Sequence, residues 1–483
     1  MIPEAHGGRL ISRLSSECER ARRESETRDL LRIAPHIDQV YDAEKIGIGA
    51  YSPLEGFADE ATLESILTTN RLPNGLPWTM PIVLAPAGHQ NESVVAKVKS
   101  GDEVGLVDPA GHIFALLHVT QKYRWDRARV AEQVYATTDP KHPNVADLLA
   151  AGEIALGGPV VLLRRLSLPT GALEMTPAET RAEFARRGWK NIAAYQTRNV
   201  PHTAHEYLQR CTLEREDIDG LFIHPVLGRL KKGDYRPEVI LEAYQALARG
   251  YYPKDRVLLA ALSITMRYGG PKAALFLAIV RKNYGCGSYI VGRDQAGVGT
   301  YYDPYACQRI FDEYPIGVQA LKYAETYFCR DCGWMASART CAHPPDRRLN
   351  TSQTLIREAL AKGEALPSEI IRPEVAQILG RGDVLLAELN LGPTDRGRYL
   401  DPLLPTYMTH TARKLRHGGK SCIGQVEECV LPGGGAARHA PPTERHHACP
   451  RPSRRAPQGR ARVPGAVLRC GQDWLGSAAA PLP

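Results

Sequence analysis

Apolar positions change their rhythm near residue 165. Before it, short apolar runs at residues 81–85, 93–97, 103–107, 112–119 and 159–163 are separated by Gly, Pro and Asn. Runs of this length between turn residues predict the strands of a small mixed β domain. A charged stretch at 13–31 precedes them with helical spacing. After residue 165, apolar runs at 191–195, 220–224, 256–264 and 287–292 alternate with helical patterns at 205–216, 237–249 and 271–284. Such alternation predicts an α/β fold, a parallel sheet covered by helices, with ligands at the carboxyl ends of its strands. The last of these helical patterns closes on Arg281, Lys282 and then Gly285, a cationic last turn and a glycine stop. Helical patterns at 351–364 and 374–379 predict a small C-terminal lobe. Past about residue 410 no period persists and Pro, Gly, Ala and Arg dominate, which predicts disorder. The expected units are therefore 1–165, 166–350, 351–410 and a basic tail, 411–483.

The charge balance supports that division. Residues 411–483 hold 12 of the 61 Lys and Arg and 4 of the 53 Asp and Glu, so they carry the whole formal charge of +8. The body is neutral, and the basic total points to neither nucleic acid nor anionic membrane. Residues 1–14 lack the apolar core of a secretory signal, and the longest apolar run, 257–264, is too short to span a bilayer. A soluble cytoplasmic protein is expected, its 11 cysteines mostly reduced.

Two loops carry the candidate chemistry. In the first, Gln196-Thr197-Arg198-Asn199-Val200-Pro201-His202-Thr203-Ala204-His205-Glu206 leaves a strand-like run and opens a helical pattern. The start of a helix favours anions through its free N–H groups and dipole. Arg198 offers a planar donor fork for a tetrahedral oxyanion, and Gln196 and Asn199 add neutral donors. His202 and His205, three apart, share one helix face and suit the phosphates of a nucleotide. A polar surface loop with two solvent-facing histidines reads equally well from these residues alone. In the second, Tyr289-Ile290-Val291 runs into Gly292-Arg293-Asp294-Gln295-Ala296-Gly297, where glycine lets backbone approach a ligand closely. Two such loops on one parallel sheet would open on the same edge.

A separate group, Cys329-x2-Cys332-x8-Cys341-x-His343, supplies three thiols and one imidazole. That set suits a closed, structural zinc site, although clustered reduced thiols are the plain alternative. Gly418-Gly419-Lys420-Ser421 imitates the end of a phosphate-binding loop. It lacks the glycine six positions before Lys420, where Lys414 stands, and no strand precedes it.

Several of these segments resemble one family in order and spacing, the ATP sulfurylases (sulfate adenylyltransferases). They are the Gln-x-Arg-Asn and His-x-x-His motifs at 196–205 and the Gly292-Arg293-Asp294-x-Ala296-Gly297 loop. With them go Gly49-Ala50-Tyr51-Ser52-Pro53-Leu54-x-Gly56-Phe57, Arg267-Tyr268-Gly269-Gly270-Pro271-Lys272-x-Ala274 and Arg281-Lys282-Asn283-Tyr284-Gly285-Cys286. The resemblance spans roughly residues 15–390. It implies an N-terminal PUA-like domain, a Rossmann-like nucleotidyltransferase domain and a small C-terminal lobe. It implies transfer of AMP from ATP to sulfate, giving adenosine 5′-phosphosulfate and pyrophosphate, with Mg²⁺ on the ATP. Gln196, Arg198 and the backbone at Ala296 would hold sulfate. Thr197, Arg198 and Asn199 would line the reacting centre. His202 and His205 would grip the ATP phosphates. Gly292, Arg293 and Asp294 would sit against the nucleotide. The zinc-containing prokaryotic branch looks similar at Cys329, Cys332, Cys341 and His343, and the family suggests a homo-oligomer. One departure is Thr351-Ser352-Gln353-Thr354, where the family often has Ser-Gly-Thr. Another His-x-x-His nucleotidyltransferase, or an inactive binder of nucleotide or sulfate, would share parts of this pattern.

Overall fold

The computed structural model describes residues 2–386, apart from 169 and 231. The expected tail at 411–483, the Gly418–Ser421 segment and the end of the expected lobe lie outside them. Among the described residues, no helix is long and apolar enough to cross a membrane.

The N-terminal part is built on a mixed sheet. Its strands run in the order Arg32–Ile33, Glu103–Val107, Ile113–His118, Ile154–Leu162 and Gly56–Phe57, and Gln121–Arg124 also pairs with Ile154–Leu162. All pairings are antiparallel except the first, which is parallel. One expected strand is a helix. Residues 93–97 belong to His89–Lys97, whose buried Asn91 and Val95 stand one helical turn apart. The run at 81–85 makes only an isolated bridge, between Leu84 and Leu156.

The second part is a five-stranded sheet, parallel throughout: Gln319–Lys322, Ser288–Val291, Ile192–Tyr195, Gly220–Ile223, Val257–Leu259. In chain order this is 3-2-1-4-5 read from the opposite edge, the Rossmann arrangement. The order reverses between Ile192–Tyr195 and Ser288–Val291, and a crevice opens there at the carboxyl ends. Both strands are buried along their whole length, as strands covered on two faces must be. The connecting helices are Thr203–Leu213, Pro237–Tyr251, Gly270–Asn283 and Ala306–Glu313. The expected strand at 256–264 is shorter, Val257–Leu259, and the rest is loop, with Leu262 bridging to Val226.

One core joins the two parts. Helix Gly270–Asn283 is buried nearly all round. Its Phe276 ring meets Tyr51 at 5.3 Å and Trp78 at 5.5 Å, both edge-on. Below this contact lies a buried ionic staple. Lys45 Nζ donates to Glu44 at 2.5 Å and to Glu174 at 3.0 Å. Glu174 also accepts from the N–H and hydroxyl of Ser263 and from Thr170. Burial pulls the Lys45 ammonium towards neutrality, and the two carboxylates outweigh it, so the lysine stays charged.

Two smaller elements complete the chain. Strands Trp334–Ser337, Thr326–Cys329 and Arg348–Leu349 form an antiparallel ribbon. Helices Gln353–Lys362 and Pro373–Leu379 place Ile356, Val375, Ile378 and Leu379 in the core beside Ile240 and Tyr244.

Candidate active site

The loops at 196–205 and 292–297 leave the two strands that flank the switch point, so the fold brings them together. Gln196 follows Tyr195 directly. Its Oε1 accepts from the Tyr289 hydroxyl at 2.9 Å, which ties the first loop to the neighbouring strand. Thr197 turns the chain: its Oγ1 accepts from Asn199 N at 3.1 Å, and its carbonyl accepts from Val226 N. Arg198 is half-buried. Its guanidinium lies 5.0 Å from the Tyr268 ring centre and 3.5 Å from Asp234 Oδ1. Asn199 Oδ1 accepts from Arg357 at 2.9 Å.

Helix Thr203–Leu213 begins two residues earlier than the expected pattern at 205–216, and His202 is its N-cap rather than a residue on its face. His202 Nδ1 accepts from Ala204 N at 3.3 Å, so its ring proton sits on Nε2. The two imidazoles stack at 3.8 Å. They do not face solvent as free surface groups. Burial holds His202 well below the usual imidazole range, helped by His205, and burial brings His205 down to about 4. Both rings are therefore neutral near pH 7, and each presents one N–H donor.

In the second loop, Gly292 N donates to Gln295 Oε1 at 3.2 Å, and Gln295 Nε2 donates to the Tyr289 hydroxyl at 2.7 Å. Asp294 and Ala296 adopt φ of 53° and 59°, in the left-handed region. Two strained non-glycine residues so close together are a feature of ligand-binding loops. Arg293 is exposed, with Glu325 3.6 Å away as its ion-pair partner.

The C-terminal helices lock the first loop from outside. Gln353 Nε2 donates to Val200 O at 2.8 Å, Thr203 N donates to Ile370 O, and Arg372 pairs twice with Glu206 at 2.7 Å. The departure at 352–354 is thus accommodated: Ser352 caps helix Gln353–Lys362 and Gln353 buttresses the loop. Asp234 and Arg357 had no local sequence signal, whereas Tyr268, Tyr289 and Gln295 lay inside flagged segments without a role read for them.

Cys329, Cys332, Cys341 and His343 converge, their ligand atoms all within 4.8 Å of one another. The Sγ–Sγ distance from Cys332 to Cys341 is 3.7 Å. The His343 Nδ1 lies 3.4, 3.3 and 3.6 Å from the sulfurs of Cys329, Cys332 and Cys341. A tetrahedron built on bonds of ~2.3 Å has edges of ~3.8 Å, so the spacing fits one metal ion. The ribbon that carries it leans on the histidine helix, for Trp334 and Glu206 share the Arg372 guanidinium.

Comparison with known proteins shows the family. Residues 171–381 match the ATP-sulfurylase family model, and residues 3–165 match the PUA-like domain model. A sulfate adenylyltransferase of Symbiobacterium thermophilum is 45% identical over 380 residues, 78% of this chain and 95% of that protein. One from Hyperthermus butylicus is 43% identical, covering 78% and 96%. The solved structure of a hexameric APS kinase from Thiobacillus denitrificans superposes with a TM-score of 0.62 at 26% identity, over 79% of this chain and 69% of that one. With two anion-suited loops at the switch point and relatives matched over nearly their full length, the chain belongs to the sulfate adenylyltransferase (ATP sulfurylase) family.

Proposed function

We propose that this protein joins ATP and sulfate into adenosine 5′-phosphosulfate, releasing pyrophosphate, by direct in-line attack. The observation that carries the reading is the match to sulfate adenylyltransferases over 95% or more of their length. A sulfate oxygen forms the new bond to the α-phosphorus as the bridging bond to the β-phosphate breaks. The electron pair leaves with pyrophosphate. Sulfate is already a dianion near neutral pH, so no general base is needed. The task is to bring two anions together and to offset charge growing on the leaving group.

In this reading Gln196, Arg198 and the Ala296 backbone hold sulfate. Thr197 and Asn199 shape the reacting centre between them. His202 and His205 donate to the departing phosphates. Neutral, each imidazole still keeps one N–H that can donate to a phosphate oxygen. Gly292, Arg293 and Asp294 lie against the nucleotide, and Arg293, being exposed, is free to turn inward. Mg²⁺ bound to ATP would offset part of the phosphate charge.

The test is pyrophosphate release from Mg-ATP with and without sulfate, with choline phosphate or nicotinamide mononucleotide as alternative acceptors. Release that needs sulfate is expected. Release driven equally by the other acceptors would point to a different nucleotidyltransferase.

We assign the Cys329, Cys332, Cys341 and His343 site to structural zinc, because four protein ligands leave no position open for substrate. Metal analysis should find one zinc per chain. Chelation should speed amide exchange in the ribbon while lowering sulfate-dependent turnover by less than about tenfold. Complete loss of turnover with an unchanged ribbon would place the metal in the chemistry instead.

A further inference from the structure

Four polar groups form a line whose direction has only one solution. The Gly292 N–H can only donate, so Gln295 must turn its Oε1 towards it, at 3.2 Å. That leaves Gln295 Nε2 to donate to the Tyr289 oxygen, at 2.7 Å. Tyr289 is fully buried, and burial pushes its hydroxyl up to about 12, so the proton stays on it near neutral pH. With its oxygen already accepting, the hydroxyl must donate onward, and Gln196 Oε1 lies 2.9 Å away. The oxygen of the Gln196 amide is thereby held inward and its NH₂ faces out. Among the described residues, the hydrogen-bond partner of the NH₂ is the Met266 sulfur, at 3.7 Å, a weak acceptor that an anion readily replaces.

We propose that Tyr289 and Gln295 are positioning residues that set the polarity of Gln196, so that its NH₂ rather than its oxygen meets the attacking oxyanion. This rests on the reading above that Gln196 holds sulfate. The reverse orientation would press two donors together and leave a buried hydroxyl unpaired. The line also couples the loops: its first donor is the backbone of Gly292, on the nucleotide side, and its last group faces sulfate. Selection against a wrongly turned amide thus rests on groups that do not themselves hold sulfate.

The experiment compares Tyr289→Phe, Gln295→Met, Gln196→Ala and the double variant Gln196→Ala/Tyr289→Phe. Tyr289→Phe keeps the buried ring, and Gln295→Met changes a partly exposed side chain, so folding is tested by two independent routes. Tyr289→Phe should raise the KM for sulfate about three- to tenfold, with the KM for ATP changed less than about twofold. Gln295→Met should act in the same direction and more weakly. In the Gln196→Ala background, Tyr289→Phe should have almost no further effect, because the residue it acts through is gone. An equal effect in both backgrounds, or a parallel rise in the KM for ATP, would make Tyr289 merely structural and overturn the proposal. If Gln196→Ala weakens sulfate and Tyr289→Phe does not, the line is wrong and the sulfate assignment stands. If Gln196→Ala leaves the sulfate KM unchanged, the assignment itself fails and the line falls with it.

Discussion

Replacing Arg198 with lysine is expected to lower kcat/KM for sulfate about a hundred- to a thousandfold, the range seen when one preorganised oxyanion donor is lost. The guanidinium is fixed from two sides. The Tyr268 ring supports its plane at 5.0 Å, and Asp234 sits 3.5 Å from one terminal nitrogen. What remains open is a flat edge with parallel N–H groups, the shape that pairs with two oxygens of a tetrahedral anion. A lysine keeps the charge and loses the plane, the stacking and the second donor. Steady-state kinetics with sulfate varied at saturating ATP gives the readout, and circular dichroism confirms the fold. A loss below about tenfold would mean that Arg198 supplies charge alone and that sulfate is recognised elsewhere.

Lys45→Met should destabilise the protein by about 3–5 kcal/mol, the usual cost of removing one member of a buried ion pair. The variant would fill the same space, but Glu44 and Glu174 would remain buried without the shared ammonium, Glu44 keeping Arg165 at 3.5 Å. The damage would cross the molecule, since Glu174 also fixes Ser263 on the loop that follows strand Val257–Leu259. Urea denaturation followed by tryptophan fluorescence measures the change. A shift under about 1 kcal/mol would show that the network is neutral on balance, as some buried ion pairs are.

Much of the site was legible because its chemistry lies in unbroken stretches. Gln196 to His205, Gly292 to Gly297 and Cys329 to His343 are each one short stretch of chain, and each has spacing that a reader of the chain can recognise. The alternation of strand and helix was legible for the same reason. Strand order was not: nothing near residue 195 or 291 announces that these two strands are neighbours. Residues 93–97 read as a strand because Val94 and Val95 are β-branched. Tertiary packing of Asn91, which bonds both ways with Ala34, overrides that preference. The Lys45 network joins residues 129 positions apart, and pairing at such range leaves no periodic trace. The same holds for Tyr289 and Gln196, which meet only once the sheet has formed.

Helix Gly270–Asn283 has a consequence for how this protein can change over generations. Its inner face packs on the sheet that carries the reactive loops, and its outer face packs on Tyr51 and Trp78 of the N-terminal part. A substitution there must satisfy two partners at once. Drift should therefore be slow along this helix. The two parts are also poor candidates for shuffling. Either one, moved to another chain, would carry away half of a shared core and leave an oily scar on what stayed behind.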